Sequence, residues 1–282
     1  MSGTSMDGID CGLFDISLSP QYKLEWSCVD FITFSYRNNV RQSIINALSK
    51  GDKYISIANE ILGNEFVHKS IKFLNGRNID LISSHGQTIA HIDGESTLQV
   101  GNPEILYKYF KVPVVFNIRQ ADIQVGGNGA PLMPFLDWLL FKEEDQDVIT
   151  LNLGGVANIS FIPASGNPKK VIGFDTGPGM ALIDECCKMY YADPLDRNAS
   201  HAKEGIVNET ILSELMNHEF IHKSPPKSTG RHEFGSGLLY HILNKYPKTS
   251  PDNLVRTFCA FTAKSIAKNL YKFLNFKLWK NY

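Results

Sequence analysis

The sequence has almost no net charge and no long hydrophobic run. Its 28 basic and 29 acidic side chains leave a formal net charge of -1 over 282 residues. No global field therefore favours nucleic acid or an anionic membrane. No apolar run approaches the ~20 residues that span a bilayer, and the first residues lack the basic and apolar regions of a signal peptide. These absences predict a cytoplasmic protein without a nucleic-acid or membrane partner.

Cysteine is scarce, and its spacing carries no metal signature. The chain has five cysteines, an odd number, and no C-x-x-C pair. This pattern argues against a disulfide framework and against a zinc knuckle. We therefore expect buried free thiols. The positions are Cys11, Cys28, Cys186, Cys187 and Cys259.

What the chain does contain is an alternation of short β-rich runs with amphipathic helical stretches. Runs such as residues 80–84 and 171–174 end next to glycine, histidine or aspartate, and helical periodicity covers residues 55–74. Several strands follow one another directly, which predicts hairpins. A composition that is 43% hydrophobic allows a sizeable core. The pattern predicts an α/β protein with mixed sheets.

One arrangement occurs twice along the chain. A glycine-rich turn lies beside a predicted hairpin at residues 3–8 and again at residues 154–158, and long helices follow each hairpin. Two such halves facing each other would place two phosphate loops across a cleft. We place the boundary in the glycine-rich stretch 126–129. This division predicts one domain over residues 1–127 and a second over residues 128–282.

Both glycine turns have the composition of phosphate-binding loops. Residues 2–10 combine two glycines with hydroxyl and carboxylate side chains, so their backbone amides can face an anion. The paired glycines Gly154 and Gly155 would let a phosphate approach closely. The same residue types also form ordinary hairpin turns, and the sequence leaves both alternatives open.

Asp175 is the first candidate for a catalytic group. It lies at the end of a predicted strand, directly before a turn that opens a helix. Such a carboxylate can act as a general base on a hydroxyl or on water. The alternative is a side chain that only holds the amides of the turn.

Further polar groups lie at predicted strand ends and in loops. His85 could position a substrate hydroxyl or have a structural role. Arg119 could bind a substrate carboxylate or pair with Asp122. The basic loop 226–231 is interpreted as a solvated connection, with ligand contact as the alternative.

Residues 218–222 match the H-E-x-x-H pattern of zinc peptidases, in which two histidines one helical turn apart bind the metal. A third ligand is needed, yet no histidine follows at metzincin spacing and no glutamate follows Glu233. Pro225 and Pro226 also end any helix close to His222. A solvated helix end is the better interpretation, and a zinc peptidase remains a remote alternative.

Seven segments in order resemble the anhydro-N-acetylmuramic acid kinase family, and they cover nearly the whole chain. They are SGTSMDGID (2–10), HGQT (85–88), TLQVGNP (97–103), GGNGAPL (126–132), LNLGGVANIS (151–160), GFDTGPG (173–179) and PKSTGR (226–231). The resemblance implies two RNase H-like lobes of the actin and hexokinase type around a nucleotide and sugar cleft. It also implies a possible homodimer.

The resemblance implies a reaction in which ATP, Mg²⁺ and water convert 1,6-anhydro-N-acetylmuramic acid to N-acetylmuramic acid 6-phosphate during cell-wall recycling. The aspartate of GFDTGPG is the family's general base and falls on Asp175. The implied ATP-binding residues are Gly3, Thr4, Ser5, Met6, Asp7, Gly8, Asp10, Gly154 and Gly155. The implied sugar-binding residues are His85, Gln87, Thr88, Arg119, Asn158, Thr176 and Gly177. No protein metal ligand is assigned.

The chain also departs from the family pattern. It begins within the first phosphate loop rather than with the strand before it, and it ends before the family's adenosine-binding segment, which predicts an incomplete second lobe. Asn128 and Met180 replace the usual glutamine and asparagine. We therefore expect weak ATP affinity and exposed apolar surface on the second lobe. A catalytically silent relative that still binds sugar is the alternative function.

Overall fold

The computed structural model describes residues 8–164 and 166–274. The chain divides into two compact units, Met1–Leu132 and Met133–Tyr282. The sequence-based boundary lies five residues earlier, and the assignment of the two parts to RNase H-like lobes stays a prediction.

The first unit begins with a long antiparallel hairpin in which Ile9 pairs with Phe34. Two helices follow the hairpin, and a short parallel pair and a second hairpin come after them. Its described elements are β1 (Ile9–Leu18), β2 (Leu24–Phe34), α1 (Asn38–Lys50), α2 (Asp52–Leu74), β3 (Ile82–Ser83), β4 (Gln87–Ile92), β5 (Ser96–Val100), α3 (Pro103–Phe110), β6 (Val114–Val115) and α4 (Ile118–Gln124).

Local sequence explains the boundaries of these helices. The side chain of Asn102 accepts a hydrogen bond from the Glu104 amide and Pro103 occupies the first turn, so α3 starts there. Asn75 has left-handed backbone angles and ends α2. The core of the unit lies where α1 and α2 cover β1. Its buried apolar residues include Ile9, Val40, Ile44, Leu62, Phe66 and Leu106.

The second unit is built on an antiparallel sheet with the strand order β7-β8-β9. Its described elements are α5 (Met133–Phe141), β7 (Val148–Leu153), β8 (Val156–Ile162), β9 (Ile172–Pro178), α6 (Ala181–Tyr191), α7 (Ser200–Glu204), α8 (Glu209–Met216), α9 (Glu219–His222), α10 (Arg231–Phe234), α11 (Ser236–Lys245) and α12 (Pro251–Leu274). Short 3-10 helices cover Pro168–Lys170 and Arg197–Ala199.

The core of the second unit lies among its helices. Apolar side chains of α6, α8 and α12 meet there, including Leu182, Leu212, Phe258 and Phe261. In addition, α12 contacts β9. The long helix therefore connects the core to the strand that carries the candidate base.

The expected α/β class is confirmed, and parallel and antiparallel strand pairs occur in separate sheets of the described chain. All five cysteines are free. The expectation of burial is right for Cys186 and Cys187 and wrong for Cys28, which is exposed, because β2 belongs to a two-stranded ladder with much of its surface open. None of the described helices combines the length and hydropathy that a membrane span needs.

Candidate active site

The first phosphate loop is only partly within the described residues. Gly3, Thr4, Ser5, Met6 and Asp7 lie outside them, and Gly8 is buried immediately before β1. Asp10 lies opposite Thr33, whose hydroxyl donates a hydrogen bond of 2.6 Å to the Asp10 carboxylate. The end of the loop is thus fixed to the neighbouring strand β2. Contact of these residues with ATP stays a prediction.

The second glycine turn connects β7 to β8 and packs against the start of α6. The Gly154 carbonyl accepts a hydrogen bond of 2.8 Å from the Met180 amide, and the Gly155 carbonyl accepts one of 3.0 Å from the Gly179 amide. A Cβ on Gly179 would lie 2.2 Å from the Gly154 oxygen, so only glycine allows this approach. The segment is a hairpin turn, and its binding of phosphate stays a prediction.

Asp175 is buried with 8% of its surface exposed. It lies in the middle of β9, so the prediction that it ends a strand is wrong, because the strand continues to Pro178. Its carboxylate Oδ2 accepts a hydrogen bond of 2.9 Å from the Thr229 amide, and its own amide donates one of 3.1 Å to the Lys227 carbonyl. Asn158 is its register partner on β8. The carboxylate therefore holds an amide from a loop far along the chain. A backbone donor to a carboxylate stabilises its ionised form, which is the form a general base requires.

The interpretation of the loop 226–231 as a solvated connection is wrong at Lys227. Only 2% of Lys227 is exposed. Its ammonium group donates a hydrogen bond of 3.0 Å to the Phe220 carbonyl and lies near the Phe220 and Phe273 rings. The aromatic environment was not visible in the sequence because Phe220 and Phe273 come from other elements.

A polar stripe on α12, formed by Thr262, Ser265 and Asn269, fixes the turn that follows Asp175. The Thr262 hydroxyl donates to the Gly179 carbonyl at 2.8 Å, and the Asn269 amide donates to the Thr176 carbonyl at 3.0 Å. Gly177 has a φ of +134°, and a Cβ there would lie 3.3 Å from Ser265 Oγ. The stripe therefore holds the backbone of the site through the hydrogen bonds of Thr262 and Asn269, and Ser265 lies where a side chain at Gly177 would be.

These stripe residues were missed by the sequence analysis, which recognised α12 by its apolar residues. Their spacing of three and four residues puts them on one helix face. Three small or amide side chains along one face of an otherwise apolar helix were the available signal.

In the first unit, His85 and Arg119 form a hydrogen-bonded pair. Arg119 Nε donates to His85 Nε2 at 2.9 Å, and Arg119 also donates to the Gly129 carbonyl at 2.8 Å. Because arginine only donates, His85 Nε2 is the acceptor, and its Nδ1 carries the proton toward the Gly86 carbonyl at 2.9 Å. Burial lowers the pKa of His85, which favours this neutral form.

Arg119 had two interpretations, binding of a substrate carboxylate or pairing with Asp122. Asp122 accepts a hydrogen bond of 2.8 Å from the Gly129 amide, while Arg119 binds the carbonyl of the same residue. Both side chains thus hold Gly129, in the loop 126–129. Burial lowers the pKa of Arg119, yet its guanidinium remains charged at neutral pH.

Gln87 and Thr88 follow His85 at the start of β4. Gln87 has 1% of its surface exposed, and its Oε1 accepts a hydrogen bond of 3.3 Å from the Tyr36 hydroxyl. The Thr88 hydroxyl accepts one of 3.3 Å from Gln99. The sequence analysis did not identify Tyr36 and Gln99 as site residues, because their partners Gln87 and Thr88 lie on another element, strand β4. Sugar contact by Gln87 and Thr88 stays a prediction.

Comparison with known proteins decides the family. Residues 1–276 match the family model described as anhydro-N-acetylmuramic acid kinase. The chain belongs to the anhydro-N-acetylmuramic acid kinase family. A relative of that name from Bacillus cereus (strain B4264) is 38% identical over 97% of this chain and 74% of its own length. A relative of the same name from Clostridioides difficile (strain 630) is also 38% identical, over 97% of this chain and 75% of its own length.

The chain thus spans about three quarters of the length of these anhydro-N-acetylmuramic acid kinases. The expected resemblance is confirmed. Within the second unit, the segments that carried it come together around one sheet: Gly154, Gly155, Asn158, Asp175, Thr176 and Gly177. Within the first unit, His85 and Arg119 meet directly, and Gln87 and Thr88 continue from them in β4.

The zinc-peptidase alternative receives no support from this family or from the geometry. The His218 side chain caps the single-turn helix α9 by accepting from the Phe220 amide, and the His222 ring contacts the Met216 carbonyl at 3.0 Å. The histidines therefore do not project from one helix face. Among the residues that the structure describes, no group of three or more potential metal ligands occurs.

Proposed function

We propose that this chain phosphorylates 1,6-anhydro-N-acetylmuramic acid with ATP and opens the anhydro ring with water. The product would be N-acetylmuramic acid 6-phosphate. Membership of the anhydro-N-acetylmuramic acid kinase family supports the substrate class. The observation that carries the chemistry is the buried carboxylate of Asp175, which belongs to the GFDTGPG segment. The Thr229 amide donates a hydrogen bond to this carboxylate.

Asp175 is proposed as the general base. Its carboxylate takes a proton from water while the water oxygen bonds to the anomeric carbon of the sugar. The bond between that carbon and O6 breaks, and the freed O6 accepts the γ-phosphoryl group as ADP leaves. Burial supports this role because a water-poor environment strengthens the electrostatic effect of a fixed carboxylate.

The remaining site assignments are parts of the same proposal. We assign Arg119 to the substrate carboxylate, with His85 acting on the sugar mainly through Arg119, since both ring nitrogens already have partners within the chain. The other proposed sugar contacts are Gln87, Thr88, Asn158, Thr176 and Gly177. The proposed ATP contacts are the backbone and side chains of residues 3–8, Asp10, Gly154 and Gly155.

The second glycine turn suits a phosphate chain because Gly154 and Gly155 carry no side chains that would keep a phosphate from the backbone. No protein ligand is assigned to a metal, and the described residues contain no group of three or more potential metal ligands. Mg²⁺ would enter with ATP, where it neutralises phosphate charge. A cytoplasmic location, which was predicted from the sequence, and a homodimer, which the family resemblance implies, also belong to this proposal.

The proposal is tested by identifying the product. The purified chain is incubated with Mg-ATP and 1,6-anhydro-N-acetylmuramic acid, and the sugar is followed by mass spectrometry and phosphorus NMR. We expect a sugar heavier by one phosphoryl group and one water, with its phosphorus coupled to the protons at C6. A phosphorylated sugar with an intact anhydro ring, or ADP release with unchanged sugar, would contradict the proposed reaction. Sugar binding without any turnover would favour the silent relative.

A further inference from the structure

Lys227 is a buried lysine placed beside the candidate base. Lysine is almost never fully buried unless its charge is paired, yet Lys227 has 2% of its surface exposed. Its Nζ donates a hydrogen bond of 3.0 Å to the Phe220 carbonyl. The Phe220, Phe273 and Phe174 ring centroids lie 4.7, 5.2 and 6.0 Å from the same nitrogen. The electron-rich ring faces and the carbonyl offset part of the cost of burying the charge.

The same lysine is directly connected to Asp175. The Lys227 carbonyl accepts the hydrogen bond from the Asp175 amide, and two residues later the Thr229 amide donates to the Asp175 carboxylate. Phe174, one of the three surrounding rings, precedes Asp175 in β9. These two contacts of Asp175 therefore come from a loop whose buried anchor is the Lys227 side chain.

We propose that Lys227 is a positioning residue for Asp175, whose buried ammonium group anchors the loop 225–230 and favours the ionised carboxylate. The proposal rests on the proposed function only for the statement that Asp175 is the base. To the proposed function it adds Lys227, which does not touch the reacting atoms and acts through Asp175. Removal of the ammonium group would take from the Phe220 carbonyl one of its hydrogen bonds, the other coming from the Lys223 amide, and would remove a positive charge that interacts with Asp175.

The surrounding charges define the pH range in which this effect operates. Burial, aided by Lys272 and Lys223 and opposed by Asp175, lowers the pKa of Lys227 to about 8. Lys272 comes from α12 and donates to the His222 carbonyl, and Lys268 of the same helix lies beside the His222 ring. Glu233 of α10 accepts a hydrogen bond from the Thr229 hydroxyl. Lys227 thus loses its proton at mildly alkaline pH, well below the range of an exposed lysine.

The test measures the titration of the Asp175 carboxyl without requiring turnover. The full chain is labelled with carbon-13 at the aspartate carboxyl carbons, and the Asp175 signal is assigned from its loss in Asp175→Asn. The same titration is repeated in Lys227→Met and Lys227→Arg. Lys248→Met is the matched control, because it makes the same substitution at an exposed position of the same unit whose charge does not act on Lys227.

We expect Lys227→Met to move the Asp175 titration to higher pH by about one unit, and Lys227→Arg and Lys248→Met to leave it near the wild-type position. The wild-type signal should change again around pH 8, as Lys227 loses its proton, and this second change should vanish in Lys227→Arg. An unmoved titration in folded Lys227→Met would overturn the proposal.

If Lys227→Met does not fold, the wild type and Lys227→Arg decide: a change in the Asp175 signal between pH 7 and about 10.5 that vanishes in Lys227→Arg supports the proposal, and its absence in the wild type overturns it. Kinase activity is measured in parallel. Absence of turnover in the wild-type chain would count against the proposed function, whereas the carboxyl titration would still decide the role of Lys227.

Discussion

The side-chain amide of Asn269 lies 3.0 Å from the carbonyl oxygen of Thr176, next to Asp175 in β9. This hydrogen bond joins α12 to the strand that carries the candidate base. Asn269 is fully buried and also donates to the Ser265 carbonyl at 2.8 Å. The helix therefore contributes to the site through a side chain that donates a hydrogen bond to a backbone carbonyl of β9.

Asn269→Leu should disturb both stability and catalysis. Leucine has a similar volume but cannot donate, so the Thr176 carbonyl would remain buried without this partner. We expect a loss of about 1–3 kcal/mol in the free energy of unfolding and a larger fall in kcat than rise in KM. Denaturant unfolding and steady-state kinetics measure the two effects. Asn244→Leu on the exposed face of α11 is the control, and equal effects of the two substitutions would contradict the assigned role.

Gly179→Ala should separate the Gly154 turn from the start of α6. The new Cβ would lie 2.2 Å from the Gly154 carbonyl oxygen, so one backbone segment must move. We expect a stability loss of about 1–3 kcal/mol and a higher KM for ATP. Gly237→Ala is the matched control, because a Cβ there meets nothing within 4 Å and the position is helical. The control should gain about 0.5–1 kcal/mol, and a neutral Gly179→Ala would refute the close contact.

Arg119→Lys should weaken sugar binding. Lysine cannot reproduce the two bonds that the guanidinium makes to His85 and Gly129. We expect the KM for the sugar to rise by about tenfold, equivalent to about 1.4 kcal/mol, with a smaller change in the KM for ATP. Arg41→Lys on the exposed surface of α1 is the control. Equal changes in both KM values would argue against a sugar contact.

The His85 ring adds a pH dependence to this contact. Because burial lowers its pKa below the ordinary 6.5, the imidazole stays neutral and accepts from Arg119 at and somewhat below that pH. Between the ordinary and the lowered pKa the unfolded chain binds more protons, so this contribution to stability falls as the pH drops through that window. The KM for the sugar should accordingly rise only on the acidic side of pH 6.5. A rise that begins above it would contradict the neutral tautomer.

Lys227 should make the chain more stable as the pH rises from about 8 toward 10.5, because in this window the unfolded chain binds more protons than the folded one. The wild type should therefore gain stability relative to Lys227→Met, by at most about 1.4 kcal/mol per pH unit. Urea unfolding at several pH values measures this difference. Lys248→Met, at an exposed position that does not affect Lys227, should follow the wild type. A stability difference between wild type and Lys227→Met that does not change with pH would show that the charge is not buried.

The sequence predicted much of the fold because its local signals agree with the final structure. The directly consecutive strands became the β1–β2 hairpin and the β7–β8–β9 sheet, and the periodic stretch at residues 55–74 lies within α2. The β4–β5 hairpin was not predicted. Its turn lies in the polar segment between Ile92 and Ser96, and the sequence around it has no strong strand alternation.

The site was predicted by motif and refined by contacts between distant segments. Asp175 was recognisable as an acid in a β-rich run before a helix, although it lies in the middle of β9 rather than at a strand end, whereas its contact with Thr229 joins residues 54 positions apart. Lys227 was interpreted as solvated because its neighbours in sequence are polar or proline, and its aromatic surroundings come from α9, β9 and α12. The role of a residue that acts through such long-range contacts cannot be predicted from a local sequence pattern.

The central claim is tested most directly by comparing wild-type chain with Asp175→Asn in phosphoryl transfer from Mg-ATP to 1,6-anhydro-N-acetylmuramic acid. Asparagine keeps the size of the side chain and can still accept from the Thr229 amide, but it cannot take a proton from water. Asp145→Asn, at an exposed loop position, controls for the substitution itself. We predict turnover in wild type and Asp145→Asn and a fall of at least about 10²-fold in folded Asp175→Asn. Equal turnover in all three proteins would contradict the account.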